Sequence, residues 1–271
     1  MDHGNMLHTQ WNTSYIALSY VIAALASYVS LELAGRAGQS FKTSASRFWL
    51  IAQALVLGYG IWAMHFVGML AYQVDAAASF SVGLTVFSGF IAVALIYPAL
   101  RLLHGGPLTP VRLGSAAALA GLGIVVMHYT GMAAYQLPGT EVHFSWFPLV
   151  ASVLIAVGAS AVAFYLFRLL SSSWAERQPR LTLTGMKVGA GLVMGAAVIG
   201  MHYTGMAALK YRVVDELKVG LASSGVDISL LALLVGVVSF LLIGLAVTSI
   251  LMDAGRSSGD LGEMDFTSAA D

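Results

Sequence analysis

Three histidines in this chain stand in copies of one short motif, Met-His-aromatic-x-Gly-Met. The copies occupy residues 64–69, 127–132 and 201–206. The second and third begin Met-His-Tyr-Thr, whereas the first has Phe66 and Val67 in place of tyrosine and threonine. Each copy lies in an apolar stretch, where an ionisable side chain is costly and is by default a candidate for function. The repetition indicates that the three copies share one role.

The motif combines two kinds of metal ligand. In a helix, His128 and Met132 lie on one face, because four residues make about one turn. One motif therefore offers an imidazole nitrogen and one or two thioether sulfurs to the same pocket. Imidazole binds copper, zinc, iron and nickel, and thioether sulfur favours Cu(I). The chain has no cysteine, which excludes thiolate sites and iron–sulfur clusters, so the pattern predicts copper.

The other motif positions are predicted to shape a ligand pocket. A glycine three residues after each histidine removes a side chain where a neighbouring helix or a ligand must approach. The aromatic residue after each histidine could line the pocket, and the tyrosines could hydrogen-bond a bound ligand. The predicted pocket residues are Phe66, Tyr129, Tyr203, Gly68, Gly131 and Gly205.

A purely structural role is the alternative for the same residues. Methionine fills gaps in cores, and glycine lets membrane helices pack closely. The histidines would then hydrogen-bond across the bundle. Three histidines at matched depth, each with methionine on both sides, favour a ligand site over this alternative.

The elements that position the motifs are predicted to be transmembrane helices. Of the 271 residues, 58% are hydrophobic and only 10% are charged, against about 25% charged in soluble domains. Seven apolar segments reach the roughly 20 residues that span a bilayer. They cover residues 14–34, 48–72, 80–103, 112–136, 147–170, 184–209 and 228–252. We therefore expect an all-α integral membrane protein with seven transmembrane helices. The formal net charge is zero, which gives no indication of a nucleic-acid partner.

The basic residues predict the orientation of these spans. One side of the membrane receives ten of them: Arg36, Lys42, Arg47, Arg101, Arg112, Arg168, Arg177, Arg180, Lys187 and Arg256. The other side receives three: Lys210, Arg212 and Lys218. The positive-inside rule then places the N-terminus outside and the C-terminus in the cytoplasm. No Lys or Arg precedes the first span, which predicts an uncleaved first helix.

The motifs recur with the period of a helix pair. They lie near the outer ends of the second, fourth and sixth predicted spans, which run in the same direction. Consecutive motif histidines are 63 and 74 residues apart, which fits two antiparallel spans with their loops. The first six spans thus form three predicted helix-pair repeats, with the seventh left over, and a site is expected at the repeat interface. We expect residues 1–252 to be one transmembrane domain and 253–271 to be a short disordered cytoplasmic tail.

The repeated Met-His-Tyr-Thr signature resembles the MHYT domain, a bacterial integral-membrane sensor module, over nearly the whole chain. The resemblance implies a multi-pass protein of the bacterial inner membrane, with the motifs facing the periplasm. It also implies detection of a diatomic gas (O₂, CO or NO) through copper. The ligands it implies are Met64, His65, Met69, Met127, His128, Met132, Met201, His202 and Met206.

The resemblance also bears on how a signal would leave the domain. MHYT modules are often fused to cytoplasmic cyclic-di-GMP enzymes or DNA-binding domains, and none follows here. The signal is therefore expected to reach a separate cytoplasmic partner, unless the chain is a segment of a longer protein. The sequence is compatible with a dimer but contains no pattern that identifies a dimer interface.

Other functions are weighed against a sensor. The sequence contains no recognisable combination of catalytic residues, so we expect no enzyme activity. A copper transport or delivery protein would need ligands across the membrane, and the inner half offers little beyond Met186 and Met194. A haem-binding membrane oxidoreductase would use two axial histidines, whereas this chain has three equivalent ones. Near the inner end of the first span, Glu32 is predicted to pair with Arg36 four residues on.

Overall fold

The fold is a bundle of long apolar helices. The structure is a computed structural model that describes residues 9–38, 44–74, 78–214, 231, 233–242, 244–245 and 247–248. The long helices are α1 (Thr13–Gly38), α2 (Ser44–Ala71), α3 (Val82–His104), α4 (Pro110–Ala134), α5 (Trp146–Leu170) and α7 (Arg180–Met206). A one-turn helix, α6 (Ser173–Glu176), joins α5 to α7, and α8 covers Leu233–Leu242.

Six of the predicted spans are confirmed as helices long and apolar enough to cross a membrane. Of the seventh, the structure describes only part, including the apolar helix α8, so the seventh span remains a prediction. The predicted orientation also remains a prediction, and the proposed tail, 253–271, lies outside the described residues. All-α membrane architecture is therefore the part of the expected fold that the structure bears out.

Short antiparallel strand pairs close each repeat at the end that carries the motifs. The strands are β1 (Thr9–Trp11), β2 (Tyr72–Val74), β3 (Ser79–Phe80), β4 (Tyr135–Gln136), β5 (Thr140–Phe144) and β6 (Leu209–Val213). They pair as β1–β2, β3–β4 and β5–β6. Each pair joins the strand before a repeat's first helix to the strand after its second, so the repeat is β-α-α-β.

The predicted spans extend past the ends of the motif helices. They end at residues 72, 136 and 209, whereas the helices end at Ala71, Ala134 and Met206. The first residues beyond include Tyr72, Tyr135 and Leu209, which are apolar and extend the hydrophobic run into the strands. Hydropathy alone does not distinguish the last turn of a helix from an apolar strand that follows it.

The three motif helices are the inner helices of a closed ring. Within the repeats, α1 packs with α2, α3 with α4, and α5 with α7. Between repeats, α2 packs with α3, α4 with α5, and α7 with α1, while α2, α4 and α7 also contact one another. The arrangement therefore has an approximate threefold axis that runs between the motif helices.

Equivalent glycines allow the close packing between repeats. A Cβ added at Gly58 would lie 2.9 Å from the Val93 side chain on α3, and one at Gly121 would lie 2.8 Å from Val157 on α5. One added at Gly195 would lie 2.8 Å from the backbone nitrogen of Ala24 on α1. Each glycine stands seven residues before a motif histidine. Small residues at these crossings let the backbones approach and align the motifs.

Helix α8 breaks the threefold symmetry by covering the first repeat. Leu242 packs with Ala26 of α1 and Val56 of α2, and Val235 joins the main core. Of the most apolar stretch of α2, 83% is buried, against 39% for α4 and 22% for α7. The exposed apolar faces of α3, α5 and α7 are of the kind that contacts lipid.

The charged pair predicted near the inner end of α1 is different in the structure. Glu32 Oε1 accepts from Lys187 Nζ of α7 at 2.9 Å. The guanidinium of Arg36 instead lies 5.0 Å from the centre of the Trp49 ring. Spacing in the sequence identifies neighbours along one helix, whereas Lys187 reaches Glu32 from a helix 155 residues away in sequence.

Candidate metal centre

The three motif histidines meet at the centre of the bundle. Nδ1 of His65 lies 3.1 Å from Nδ1 of His128 and 3.1 Å from Nδ1 of His202, and the third separation is 3.4 Å. Their side chains are at most 1% exposed. The rings cross at 82–90°, so each presents its edge to the next, like the blades of a propeller.

The size of this triangle fits a single metal ion. Three points with these separations lie on a circle of radius about 1.85 Å, the mean side divided by √3. Bonds from zinc to imidazole nitrogen are about 2.0–2.1 Å, so an ion close to the plane of the nitrogens would be within bonding distance of all three. Three protein ligands with an open position are typical of reactive metal centres. Among the described residues, this is the one group of three His, Asp or Glu side chains close enough to hold a metal.

Hydrogen bonds alone cannot satisfy the converging nitrogens. A neutral imidazole nitrogen directs either a proton or a lone pair along one in-plane direction. At least two of the three Nδ1 atoms must therefore present the same group to each other. The opposite nitrogens, Nε2, have no hydrogen-bond partner among the described residues. A cation at the centre would take lone pairs from all three Nδ1 atoms, which suits this geometry better than a hydrogen-bond network.

The same spacing disfavours the haem alternative. A porphyrin must lie between its two axial ligands, and the macrocycle needs a wide, flat space there. The motif nitrogens approach to 3.1–3.4 Å, which leaves no such space between any two of them. Three equivalent nitrogens around one point suit an ion and not a macrocycle.

Each histidine is seated on the glycine of another motif. A Cβ on Gly131 would overlap Nε2 of His65, one on Gly205 would overlap Nε2 of His128, and one on Gly68 would overlap Nε2 of His202. The contacts run around the axis in one direction, from each motif to the next. Each of these glycines therefore makes room for a histidine of another motif helix. This is the close approach of a neighbouring helix that the sequence predicts at these positions.

Two of the predicted pocket tyrosines hold the repeats together through their hydroxyl groups. Tyr129 OH lies 2.9 Å from Ser152 Oγ on α5, and Tyr203 OH lies 3.3 Å from Ser19 Oγ on α1. Both serines also donate to the carbonyl three residues back, at 2.7 Å. Tyr203 in addition lines a cavity at the motif end of the bundle.

The first motif keeps this link with a different residue. Phe66 has no hydroxyl and packs its ring 5.1 Å from that of Trp62. Trp62 donates its Nε1 hydrogen to Ser88 Oγ at 3.2 Å and to the Thr85 carbonyl at 3.0 Å. Ser88 also donates to that carbonyl, as Ser19 and Ser152 do to theirs. The departure from the motif at Phe66 is thus compensated one turn earlier in the helix.

The motif methionines are buried around the histidines. All six are at most 7% exposed: Met64, Met69, Met127, Met132, Met201 and Met206. Met132 and Met206 line a cavity of about 420 Å³ together with Trp11. Their part as thioether ligands remains a prediction.

A cluster of three tyrosines at the motif end was not predicted from the sequence. Tyr72, Tyr135 and Tyr211 belong to β2, β4 and β6, and the Tyr211 ring lies 6.5 Å from Tyr72 and 5.9 Å from Tyr135. Burial raises the pKa of all three, that of Tyr211 to about 12 with a further contribution from Tyr72. The sequence does contain a pattern for two members of this cluster, because Tyr72 and Tyr135 each stand three residues after the last methionine of their motif. The third motif has Leu209 at that position.

A family comparison matches the repeats. The model for MHYT, described as a bacterial signalling protein N-terminal repeat, covers residues 58–116 and 121–178. Each range begins at one of the glycines, Gly58 or Gly121, that pack against the next repeat. The chain belongs to the MHYT family. The similarity predicted from the motifs is thereby confirmed, and the MHYT repeats include the first two motifs.

Relatives that match this MHYT chain include signalling proteins and enzymes of cyclic di-GMP metabolism. It is 41% identical over 251 residues to the bifunctional diguanylate cyclase/cyclic di-GMP phosphodiesterase MucR of Pseudomonas aeruginosa, covering 92% of this chain and 35% of the relative. It is 38% identical to the cyclic di-GMP phosphodiesterase NbdA of the same species, covering 73% of this chain and 24% of that protein. It is 33% identical to the signaling protein YkoW of Bacillus subtilis, covering 76% of this chain and 25% of that protein. The chain thus spans about a third or less of these relatives, and no solved structure matches it.

Proposed function

We propose that this MHYT chain is a membrane sensor that binds copper at the His65–His128–His202 triad and detects a diatomic gas. The observation that carries the proposal is the convergence of three Nδ1 atoms to within 3.1–3.4 Å at a fully buried point. Such a cluster is costly without an ion, because hydrogen bonds cannot satisfy all three Nδ1 atoms at once and the three Nε2 atoms have no hydrogen-bond partner among the described residues.

Copper is favoured over other metals by the surroundings of the triad. Three imidazoles suit both zinc and copper, but the neighbouring motif positions supply buried thioethers, which bind Cu(I). No carboxylate joins the cluster among the described residues, which disfavours harder ions. Bound copper would supply an open coordination position for O₂, CO or NO. The buried, apolar position of the triad restricts the access of water and of larger ligands.

The bundle offers a route from the site to a signalling partner. Each inner helix contributes one histidine, so a change in the coordination of the triad would bear on α2, α4 and α7 together. Those helices begin at the opposite, arginine-rich end, which the positive-inside rule places in the cytoplasm. The names of the relatives favour an enzyme of cyclic di-GMP metabolism as the partner, in the same or a separate chain. The membrane domain itself is proposed to lack enzyme activity.

The first experiment is elemental analysis of the purified chain in detergent, before and after loading with Cu(I). We expect close to one copper per chain, and its loss in the His65→Ala/His128→Ala/His202→Ala variant. His143→Ala is the matched control, because His143 is exposed on β5 and should leave the copper content unchanged. Absence of copper from the loaded wild type, or equal copper in the triple variant, would contradict the site.

The gas is tested separately on the loaded protein. Infrared spectra under CO should show a C–O stretch typical of Cu(I)–CO, absent from the triple variant. A loaded protein that binds no CO, NO or O₂ would keep the metal site and overturn the gas sensor. Copper uptake into proteoliposomes would instead support the transport alternative.

A further inference from the structure

Two arginines converge on one glycine at the end of the bundle opposite the triad. Arg168, at the end of α5, donates from Nη2 to the Gly106 carbonyl at 3.3 Å. Arg112, in the first turn of α4, packs its guanidinium against the Cα of Gly106, where an added Cβ would lie 2.9 Å from Cζ and Nη2. The turn between α3 and α4 therefore holds two positive charges on either side of one residue.

These charges have no counterion in the described part of the chain. Nη1 of Arg112 is buried and has no hydrogen-bond partner. Neither Arg112 nor Arg168 forms an ion pair with a described carboxylate; at this end Glu32 is paired with Lys187. Two like charges repel, and a buried donor without an acceptor is expensive. An anion would relieve both costs.

A buried histidine adds to the same place. His104, the last residue of α3, is 4% exposed, and neither of its ring nitrogens has a hydrogen-bond partner among the described residues. It stands two residues before Gly106, where α3 ends and the turn to α4 begins. The N-terminus of α4, capped by Thr109, ends the same turn, and a helix N-terminus favours negative charge. All of these groups favour negative charge.

The general excess of arginine at this end does not account for the arrangement. Arginines at a membrane surface normally extend their charged ends into water, as the exposed Arg101 in the last turn of α3 does. Arg112 instead has a guanidinium nitrogen enclosed against Gly106. The glycine leaves the space that this requires.

We propose that Arg112, Arg168 and His104 form a binding site for a phosphate group between the α3–α4 turn and the end of α5. Guanidinium groups bind phosphate oxygens through paired, charge-assisted hydrogen bonds, and a neutral imidazole can donate one more. The phosphate can belong to a phospholipid headgroup or to a soluble phosphate ester, since both present the same oxygens. This site is independent of the copper and gas proposal.

The test has one arm for each source of phosphate. The purified chain is stripped of lipid in a non-ionic detergent. In the first arm, phosphatidylglycerol is titrated and bound lipid is counted by native mass spectrometry. In the second, the melting temperature is followed as inorganic phosphate replaces chloride at constant ionic strength. Saturable binding in the first arm alone identifies a headgroup site, and a rise in the second identifies a site for soluble phosphate.

The variants separate this site from general charge effects. Arg112→Gln and Arg168→Gln should each weaken binding about tenfold. Arg112→Lys should weaken it less, because lysine keeps the positive charge and loses only the paired donors of the guanidinium. Gly106→Ala should act like Arg112→Gln by displacing the guanidinium. Two matched controls should bind like the wild type: Arg101→Gln, and Gly114→Ala on α4, where a Cβ meets nothing within 4 Å.

The proposal is overturned if the wild type binds in neither arm. It is also overturned if Arg101→Gln weakens binding as much as Arg168→Gln, because binding would then depend only on the net charge of the surface. Far-ultraviolet circular dichroism confirms the fold of each variant. If Arg112→Gln does not fold, the comparison of Arg168→Gln and Arg112→Lys with the controls still decides the outcome.

Discussion

At the scale of single residues, the site depends on pairs of side chains from different motifs. Each motif histidine occupies the space left by the glycine of another motif, and each repeat holds the next through a serine. A motif is therefore incomplete by itself. Its glycine makes room for the histidine of a second motif, and its own histidine needs the glycine of the third. This exchange explains why the motif occurs in three copies.

Replacing one of these glycines should damage the site from a distance. In Gly205→Ala the new methyl group would overlap Nε2 of His128 and turn its ring away from the triad. We expect copper affinity to fall about tenfold or more, as for other residues that orient a ligand, and stability to fall by about 1–3 kcal/mol through overpacking. Copper titration and thermal unfolding would measure these effects.

The control for this substitution lies on the same helix. A Cβ on Gly200 meets nothing within 4 Å, so Gly200→Ala should bind copper like the wild type. An equal loss of copper in both variants would show that helix α7 as a whole, and not the contact with His128, sets the affinity.

The hydroxyl of Tyr129 is expected to matter for stability and not for metal binding. Tyr129→Phe removes the hydrogen bond to Ser152 on α5 and should cost about 1 kcal/mol. Trp62→Phe should act similarly through Ser88, in addition to lost packing. Thermal unfolding would record the loss, while copper content should stay unchanged. A change in copper content or CO binding with intact stability would instead support the ligand-pocket role predicted for Tyr129 from the sequence.

At the scale of elements, three strand pairs close the motif end of the bundle. The strands that follow the motif helices bring Tyr72, Tyr135 and Tyr211 together, one from each repeat. Burial keeps these phenols protonated, because the phenolate loses its hydration there. The cluster thus links the repeats outside the membrane-spanning helices, beyond the histidines.

This cluster predicts a loss of stability in strong alkali. The pKa of Tyr211 is about 12 in the folded chain and about 10 in an unfolded one. The folded state therefore holds the proton more tightly, and its advantage is complete below pH 10 and declines as pH rises from about 10 to about 12. Melting temperatures across this range, with phenolate absorbance, would show the decline.

Tyr211→Phe isolates the contribution of this residue. The Tyr211 hydroxyl is buried and has no hydrogen-bond partner among the described residues, so its removal should cost little at neutral pH. The variant should melt with a weaker dependence on pH above 10. A dependence as steep as that of the wild type would assign the alkaline loss to other groups.

At the scale of the whole molecule, the ring closes where the third repeat meets the first. Helices α7 and α1 pack there through Gly195 and Ala24, and the Glu32–Lys187 pair crosses the same interface. The two side chains are only 9% and 14% exposed, so each depends on the other to offset the loss of its hydration.

Removing one partner of this pair should destabilise the closed ring. Lys187→Met leaves the Glu32 carboxylate buried without a counterion, and we expect a loss of roughly 3 kcal/mol. The Glu32→Gln/Lys187→Met double variant should recover part of it, because no buried charge remains. Thermal unfolding of the two single variants and the double variant measures the coupling. Additive losses would show that the pair contributes nothing as a pair.

Much of this architecture was predictable from the sequence because its determinants are local. Long apolar runs specify the helices, since a backbone in lipid must satisfy its hydrogen bonds within each segment. The repeat of the motif specified three equivalent helix pairs and histidines at one depth. The copper proposal likewise follows from residue types, since the chain offers imidazole and thioether and no thiolate.

The tertiary structure alone decided which atoms meet. Spans that are apolar all round carry no signal for their rotation, so the sequence did not show that Nδ1 atoms converge or that Gly131 seats His65. The bonds from Trp62 to Ser88 and from Glu32 to Lys187 join helices that are neighbours only in the folded ring. Helix rotation and partner choice come from side-chain packing between segments distant in sequence, whereas hydropathy records only that a segment prefers lipid to water.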